Sequence, residues 1–233
     1  MPMTFQNDVV FLVDVDNTLL DNDQAQADYQ SHLQQEFGAE ADARYWQIYH
    51  QLFDELGYAD YLGALQRFRL GLMDQPKVMQ LSAFFLNYPF VERVYPGAVE
   101  VLRHLSQWGP VVLLSDGDAV FQPRKIDISG LGRAVDGRAL IYVHKEDMLA
   151  HVERHYPARR YVMIDDKLRV LDAMKNIWQA RLITVFPRQG HYAFDEKIIA
   201  AHRAADVTVE RIGDLINHDL ASLLNSVDAG QTE

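Results

Sequence analysis

The chain contains no cysteine. That excludes disulfides, thiolate-ligated zinc, iron–sulfur clusters and a thiol nucleophile. Basic residues are the scarcer charge: 22 Lys and Arg stand against 33 Asp and Glu, giving −11 over 233 residues. So acidic a surface repels nucleic acid phosphates and anionic lipid, so neither is an expected partner. No apolar run approaches the ~18 residues that a membrane helix needs. The first hydrophobic stretch, residues 9–13, has no basic lead and stops at Asp14 and Asp16. A secretory signal reads differently. A cytoplasmic protein is the expectation, and the lack of cysteine suits a reducing compartment. At 48% hydrophobic and 24% charged, the composition is globular rather than disordered or fibrous, in one or two domains.

What is present is a series of short β-branched apolar runs. Residues 9–13 read VVFLV, and similar runs recur at 111–114, 140–143, 161–164 and 182–185. Continuous apolar runs of this length suit strands buried on both faces, as in a parallel sheet. Helical patterns separate them at 98–108, 146–155, 168–178 and 195–203. The alternation predicts an α/β fold: a doubly wound, mostly parallel sheet. Residues 22–88 break the alternation, with apolar and aromatic residues at helical spacing and no convincing strand. Three or four helices are expected there. The predicted organisation is an α/β core from 1–20 and 90–233, with a helical insert at 21–89. The last residues, 225–233, read as a frayed tail.

In open α/β sheets, ligands bind beyond the carboxyl ends of the strands. The first run ends in Asp14-Val15-Asp16-Asn17-Thr18, and the run at 161–164 ends in Asp165-Asp166. Four carboxylates would then face one crevice. Two unit charges 4 Å apart repel by roughly 4 kcal/mol at an effective dielectric of 20. Such a cluster needs protons or a cation, and an all-oxygen set points to a hard ion such as Mg²⁺. A single Asp after a strand is more often a cap or turn residue. That is the reading for Asp118 and Asp172.

The segment VDVDNTL, with Asp14 and Asp16, resembles the DxDxT motif of the haloacid dehalogenase-like hydrolase superfamily. Leu113-Leu114-Ser115-Asp116-Gly117 resembles its second motif, Lys145 its third, and Met163-Ile164-Asp165-Asp166 its fourth, with Ile164 where many members carry Gly. The order holds over roughly residues 9–190, and the insert falls where the family places a C1-type helical cap. The resemblance implies phosphoryl transfer. Asp14 would be the nucleophile and Asp16 the general acid and base, which requires neighbouring carboxylates or burial to keep a proton on Asp16. Mg²⁺ would be held by Asp14, by the backbone carbonyl of Asp16, and by Asp165 or Asp166. Ser115, Asp116, Lys145 and Thr18 would contact the phosphate. The dehalogenase branch lacks an acid at the position of Asp16, so a phosphatase acting on a small phosphorylated metabolite is the expectation. A phosphomutase and a non-catalytic binding protein on the same scaffold are the alternatives.

Some residues keep two readings. Lys125 rivals Lys145 as the phosphate lysine, but lysines usually face solvent, and Lys145 directly follows a strand. Lys167 is a salt-bridge candidate beside the acidic pair. Neighbouring residues on a strand point to opposite faces, so Asp165 and Asp166 are expected to differ, one on the metal and one behind water. Candidate substrate contacts in the insert are Tyr29, His32, Arg44, Tyr45, Trp46, Tyr49, His50, Arg67 and Arg69, although an aromatic stripe at this spacing is more often a packed core. Arg188 and His191 could flank the entrance. His151 and His155 read as a surface pair.

Overall fold

Every one of the five apolar runs forms a strand, and a sixth strand joins them. The computed structural model describes residues 7–72 and 75–225; the expected tail beyond 225 lies outside the described residues. The strands are β1 (Asn7–Val13), β2 (Val111–Asp116), β3 (Ala139–Tyr142), β4 (Ala158–Ile164), β5 (Leu182–Pro187) and β6 (Val207–Val209). They pair in the order β3-β2-β1-β4-β5-β6, and every pairing is parallel. The fold class is the expected one. Strand β6 has only three residues at the sheet edge, too short for an alternating pattern to show.

The continuous apolar runs have a direct structural cause. Val9, Phe11 and Val13 of β1 face one core cluster, while Val10 and Leu12 face a second on the other side of the sheet. Neighbouring side chains on a strand point to opposite faces, so both must be apolar.

Between β1 and β2 lie helices α1 (Asn22–Phe37), α2 (Ala39–Leu56), α3 (Tyr61–Phe68), α4 (Gln75–Leu86) and α5 (Ala98–Leu105). The Asp21 carboxylate accepts from the Gln24 N–H at 2.9 Å and starts α1. Helix α2 stops at Gly57, whose φ of 79° is left-handed, a conformation glycine adopts without strain. The aromatic stripes of α1 to α4 meet one another: Tyr29 lies 4.6 Å from Phe85 and 5.6 Å from Tyr61, ring centre to ring centre. The remaining helices are α6 (Phe121–Ile128), α7 (Leu131–Ala134), α8 (Leu149–His155), α9 (Leu168–Trp178), α10 (Glu196–Ala201) and α11 (Leu220–Asn225).

The topology places the crevice. From β1 the chain winds outward through β2 to β3, then crosses back to β4 on the other flank of β1. The connections leaving β1 and β4 therefore diverge. A gap opens between their carboxyl ends, where ligands bind in folds of this kind.

Candidate active site

Asp14 follows β1 directly, and Asp165 and Asp166 follow β4. The sheet ladder extends one residue beyond each strand. The Asp14 N–H donates to the Ile164 carbonyl at 2.9 Å, and the Asp165 N–H to the Val185 carbonyl at 3.1 Å. The first bond ties Asp14 to β4 and the second ties Asp165 to β5, which fixes both backbones beside the gap. One carboxylate oxygen from each of Asp14, Asp165 and Asp166 lies within 4.8 Å of the others. All three residues are buried. Asp14 Oδ2 and both oxygens of Asp166 have no hydrogen-bond partner among the described residues. Burial raises Asp165 and Asp166 above the usual carboxylate range, against the lowering effect of Lys145 and Lys167 respectively. Buried orphan carboxylate oxygens are costly, and this hard-oxygen set fits a divalent cation. Asp165 and Asp166 both bring an oxygen to the cluster. The Asp16 carboxylate is not part of it.

Lys145 opens a short 3-10 turn, Lys145–Asp147, beyond β3. Its buried ammonium sits 2.5 Å from Asp14 Oδ1, 2.7 Å from Asp165 Oδ2 and 3.3 Å from the Leu114 carbonyl. Burial pulls this ammonium down, but Asp14 and Asp165 outweigh it and hold it well above the ordinary lysine value. The Asp116 carboxylate accepts from the Lys145 backbone N–H at 2.8 Å, so that side chain anchors the lysine. Thr18 is fully buried, and its Oγ1 accepts from the Asp166 N–H at 3.0 Å. This corrects the expected phosphate contact: Thr18 orients Asp166. Ser115 is buried too, with its hydroxyl accepting from the Gln122 amide at 2.8 Å.

Asp16 has different neighbours from those expected. The Lys125 ammonium lies 2.8 Å from one of its oxygens and 2.9 Å from the other. Gln122 Nε2 donates to it at 3.2 Å. A cation and an amide surround Asp16, and the crowded carboxylates lie around Asp14 instead. Lys125 is also not a surface lysine. It is 1% exposed, bonds the Asn22 side chain at 3.0 Å, and has the rings of Phe90 and Phe121 at 5.6 and 5.8 Å. One signal for it was in the sequence. Phe121, Gln122, Lys125 and Ile126 share the buried face of α6, so two polar residues sit where apolar ones would serve for packing alone.

The loop between Asp14 and α1 is held by Asn17, whose φ of 61° is left-handed. Its Oδ1 accepts from the Asn22 and Asp23 N–H groups at 3.0 and 3.1 Å, an Asn geometry that tolerates this backbone.

A cavity of about 410 Å³ lies between the sheet ends, α1, α2 and the loop after α2, with Asp16 and Asp116 in its wall. Of the nine insert residues proposed as contacts, Tyr49 lines it. Tyr29 and Tyr45 are in the aromatic core, Arg67 pairs with Glu55 at the surface, and Arg44 donates to the Phe68 carbonyl. His191 is in the cavity wall, whereas Arg188 pairs with Glu210. Sequence reasoning missed Gln26, Tyr58, His144 and Tyr192, which also line it. Asp118 caps α6, accepting from the Val120 and Phe121 N–H groups. His151 and His155 lie side by side with their rings tilted by 44°, ring centres 4.1 Å apart.

A family model for haloacid dehalogenase-like hydrolases matches residues 9–177. The chain belongs to the haloacid dehalogenase-like hydrolase family. A family member from Burkholderia xenovorans LB400 is 62% identical, with 91% of this chain and 99% of that chain covered and a TM-score of 0.86. Two more distant structures share the fold. An L-2-haloacid dehalogenase is 16% identical over 91% of this chain and 99% of its own, with a TM-score of 0.65. A β-phosphoglucomutase-like protein from Thermotoga maritima is 13% identical over 90% and 97%, with a TM-score of 0.56. A comparison with curated proteins finds no match. Among the described residues of this hydrolase, no helix is long and apolar enough to cross a membrane.

Proposed function

We propose that this hydrolase is a Mg²⁺-dependent phosphatase that acts on a small phosphorylated metabolite through an aspartyl-phosphate on Asp14. The observation that carries this reading is the Asp16 carboxylate in the cavity wall, two residues beyond Asp14. It supplies an acid and base beside the nucleophile, which displacement of halide does not need and cleavage of a phosphate ester does.

Asp14, Asp165 and Asp166 would hold the Mg²⁺, with a contribution from the Asp16 carbonyl. When bound, the ion offsets the negative charge that gathers on the phosphoryl oxygens. The chain's own residues do the rest. An Asp14 oxygen forms the bond to phosphorus while the bond from phosphorus to the ester oxygen breaks. Asp16 gives its proton to that leaving oxygen. Asp16 then takes a proton from water, whose oxygen bonds to phosphorus as the Asp14–phosphorus bond breaks. Inorganic phosphate leaves and Asp14 is restored. Lys145 holds Asp14 in place through its 2.5 Å contact. Positioning and charge supply most of the acceleration in such transfers. Ser115 and the Asp116 backbone complete the phosphate side of the site.

The test is turnover of p-nitrophenyl phosphate, followed by a screen of phosphorylated metabolites. Phosphate release that needs Mg²⁺, stops in chelator and disappears in Asp14→Asn is expected. Replacing Asp16 by Ala should cost ~10²–10⁴-fold. Chloride release from 2-chloropropionate without any phosphate release would replace this reading with a dehalogenase.

A further inference from the structure

The Lys145 ammonium donates to Asp14 Oδ1 at 2.5 Å and to the Leu114 carbonyl at 3.3 Å, and it pairs with Asp165 Oδ2 at 2.7 Å. Lys125 is similarly engaged, by the two oxygens of Asp16 and by Asn22.

The cavity wall holds one further lysine. Lys167 follows the acidic pair, sits at the start of α9 and is partly buried. Among the described residues its ammonium makes no hydrogen bond and no ion pair; its nearest noted neighbour is the Tyr192 ring, 5.1 Å away. Three other basic groups of the wall have acidic partners: Arg169 pairs with Glu146, His191 with Asp23 at 2.7 Å, and His202 with Asp172 at 3.6 Å. The wall's carboxylates are taken as well, Asp116 by the Lys145 N–H and Asp16 by Lys125. A partly buried ammonium in a cavity wall, with its donors unbonded, can receive an anionic ligand oxygen.

We propose that Lys167 receives a non-bridging oxygen of the substrate's phosphoryl group. The inference rests on the phosphatase reading and deepens it. It adds to the third-motif lysine a second cation, beside the fourth motif.

The experiment titrates inorganic phosphate into the full chain with Mg²⁺ by calorimetry. Lys167→Met should weaken phosphate binding by about ten- to a hundredfold, the range for a charge-assisted hydrogen bond. Lys167→Arg should keep most of the affinity. In turnover, KM for p-nitrophenyl phosphate should rise at least as much as kcat falls, and Mg²⁺ affinity should not fall. The side chain bonds no other group, so its loss leaves nothing unpaired, and circular dichroism checks the fold. Should the Met variant not fold, the wild-type protein still decides: phosphate should shift the ¹⁵N signal of the Lys167 ammonium. Equal phosphate affinity in wild type and Lys167→Met, or an unmoved signal, would overturn the proposal. Binding of acetate through Lys167 in place of phosphate would overturn it too. If phosphate binds through Lys167 but no monoester is hydrolysed, the phosphatase reading falls and the anion site stands.

Discussion

The Lys125 ammonium bonds both carboxylate oxygens of Asp16, at 2.8 and 2.9 Å, across 109 residues of sequence. Asn22, the first residue of α1, is the third acceptor on the same nitrogen. One buried cation thus ties Asp16 to the start of the helical insert.

Replacing Lys125 by Met should therefore slow turnover without removing any atom that touches substrate. The expected loss in kcat is about 10–100-fold, the usual scale for misplacing a catalytic group. Asp16 is 25% exposed at its side chain, so water can solvate it and the fold should survive. The check is a double-mutant cycle with Asp16→Asn. Residues that act as a unit are strongly non-additive. Additive losses would remove Lys125 as the positioning residue of Asp16.

The acidic cluster predicts an inverted pH dependence of stability without metal. Burial pushes Asp165 up to about 6, against the lowering by Lys145, from an unfolded value of 3.8. Asp166 is raised by burial as well. A raised carboxylate means that the folded state binds protons more tightly than the unfolded one. Stability of the metal-free protein should then fall as pH rises from about 4 to about 6, by on the order of 3 kcal/mol. Asp166→Asn should flatten that slope. Mg²⁺ should restore stability at neutral pH and release protons as it binds, since carboxylate ligands must be ionised. Thermal melts against pH, with and without chelator, read the first effect; calorimetry in two buffers reads the second. A metal-free melting curve independent of the Asp166 substitution would count against the cluster's cost.

Gly57 ends α2 and lines the cavity. Its φ is +79°, and a Cβ there would come within 2.6 Å of His144 Cε1. Gly57→Ala should cost about 1 kcal/mol for the backbone alone, and more for the imidazole collision. Adding His144→Ala should recover the collision part only. Urea unfolding of the single and double variants separates the two. An unchanged midpoint in Gly57→Ala would show that the loop at Gly57 does not pack against His144.

Much of the scaffold was legible because its cause is local. The run at 168–178 became helix α9 with the same bounds, since a strong apolar periodicity is bounded by Lys167 and Gln179. The five longer strands were legible because burial on both faces forces unbroken apolar runs. Strand β6 escaped, having three residues and an edge position. Thr18 was misassigned because a motif position gives no direction for a hydroxyl; here it points into the protein at the Asp166 N–H. Lys125 was misread because solvent is the ordinary place for lysine, and only the packing of α6 removes it from there.

The sequence by itself determined where each carboxylate stands along the chain and that the strands end beside them. Strand formation depends on neighbours a few residues away, and those neighbours are written consecutively. The tertiary structure decided which cation meets which carboxylate. Lys145 and Asp14 are 131 residues apart, and no local pattern encodes their contact. It arises because the return from β3 to β4 sets three strand ends around one gap, where buried charges must be paired or left facing a ligand.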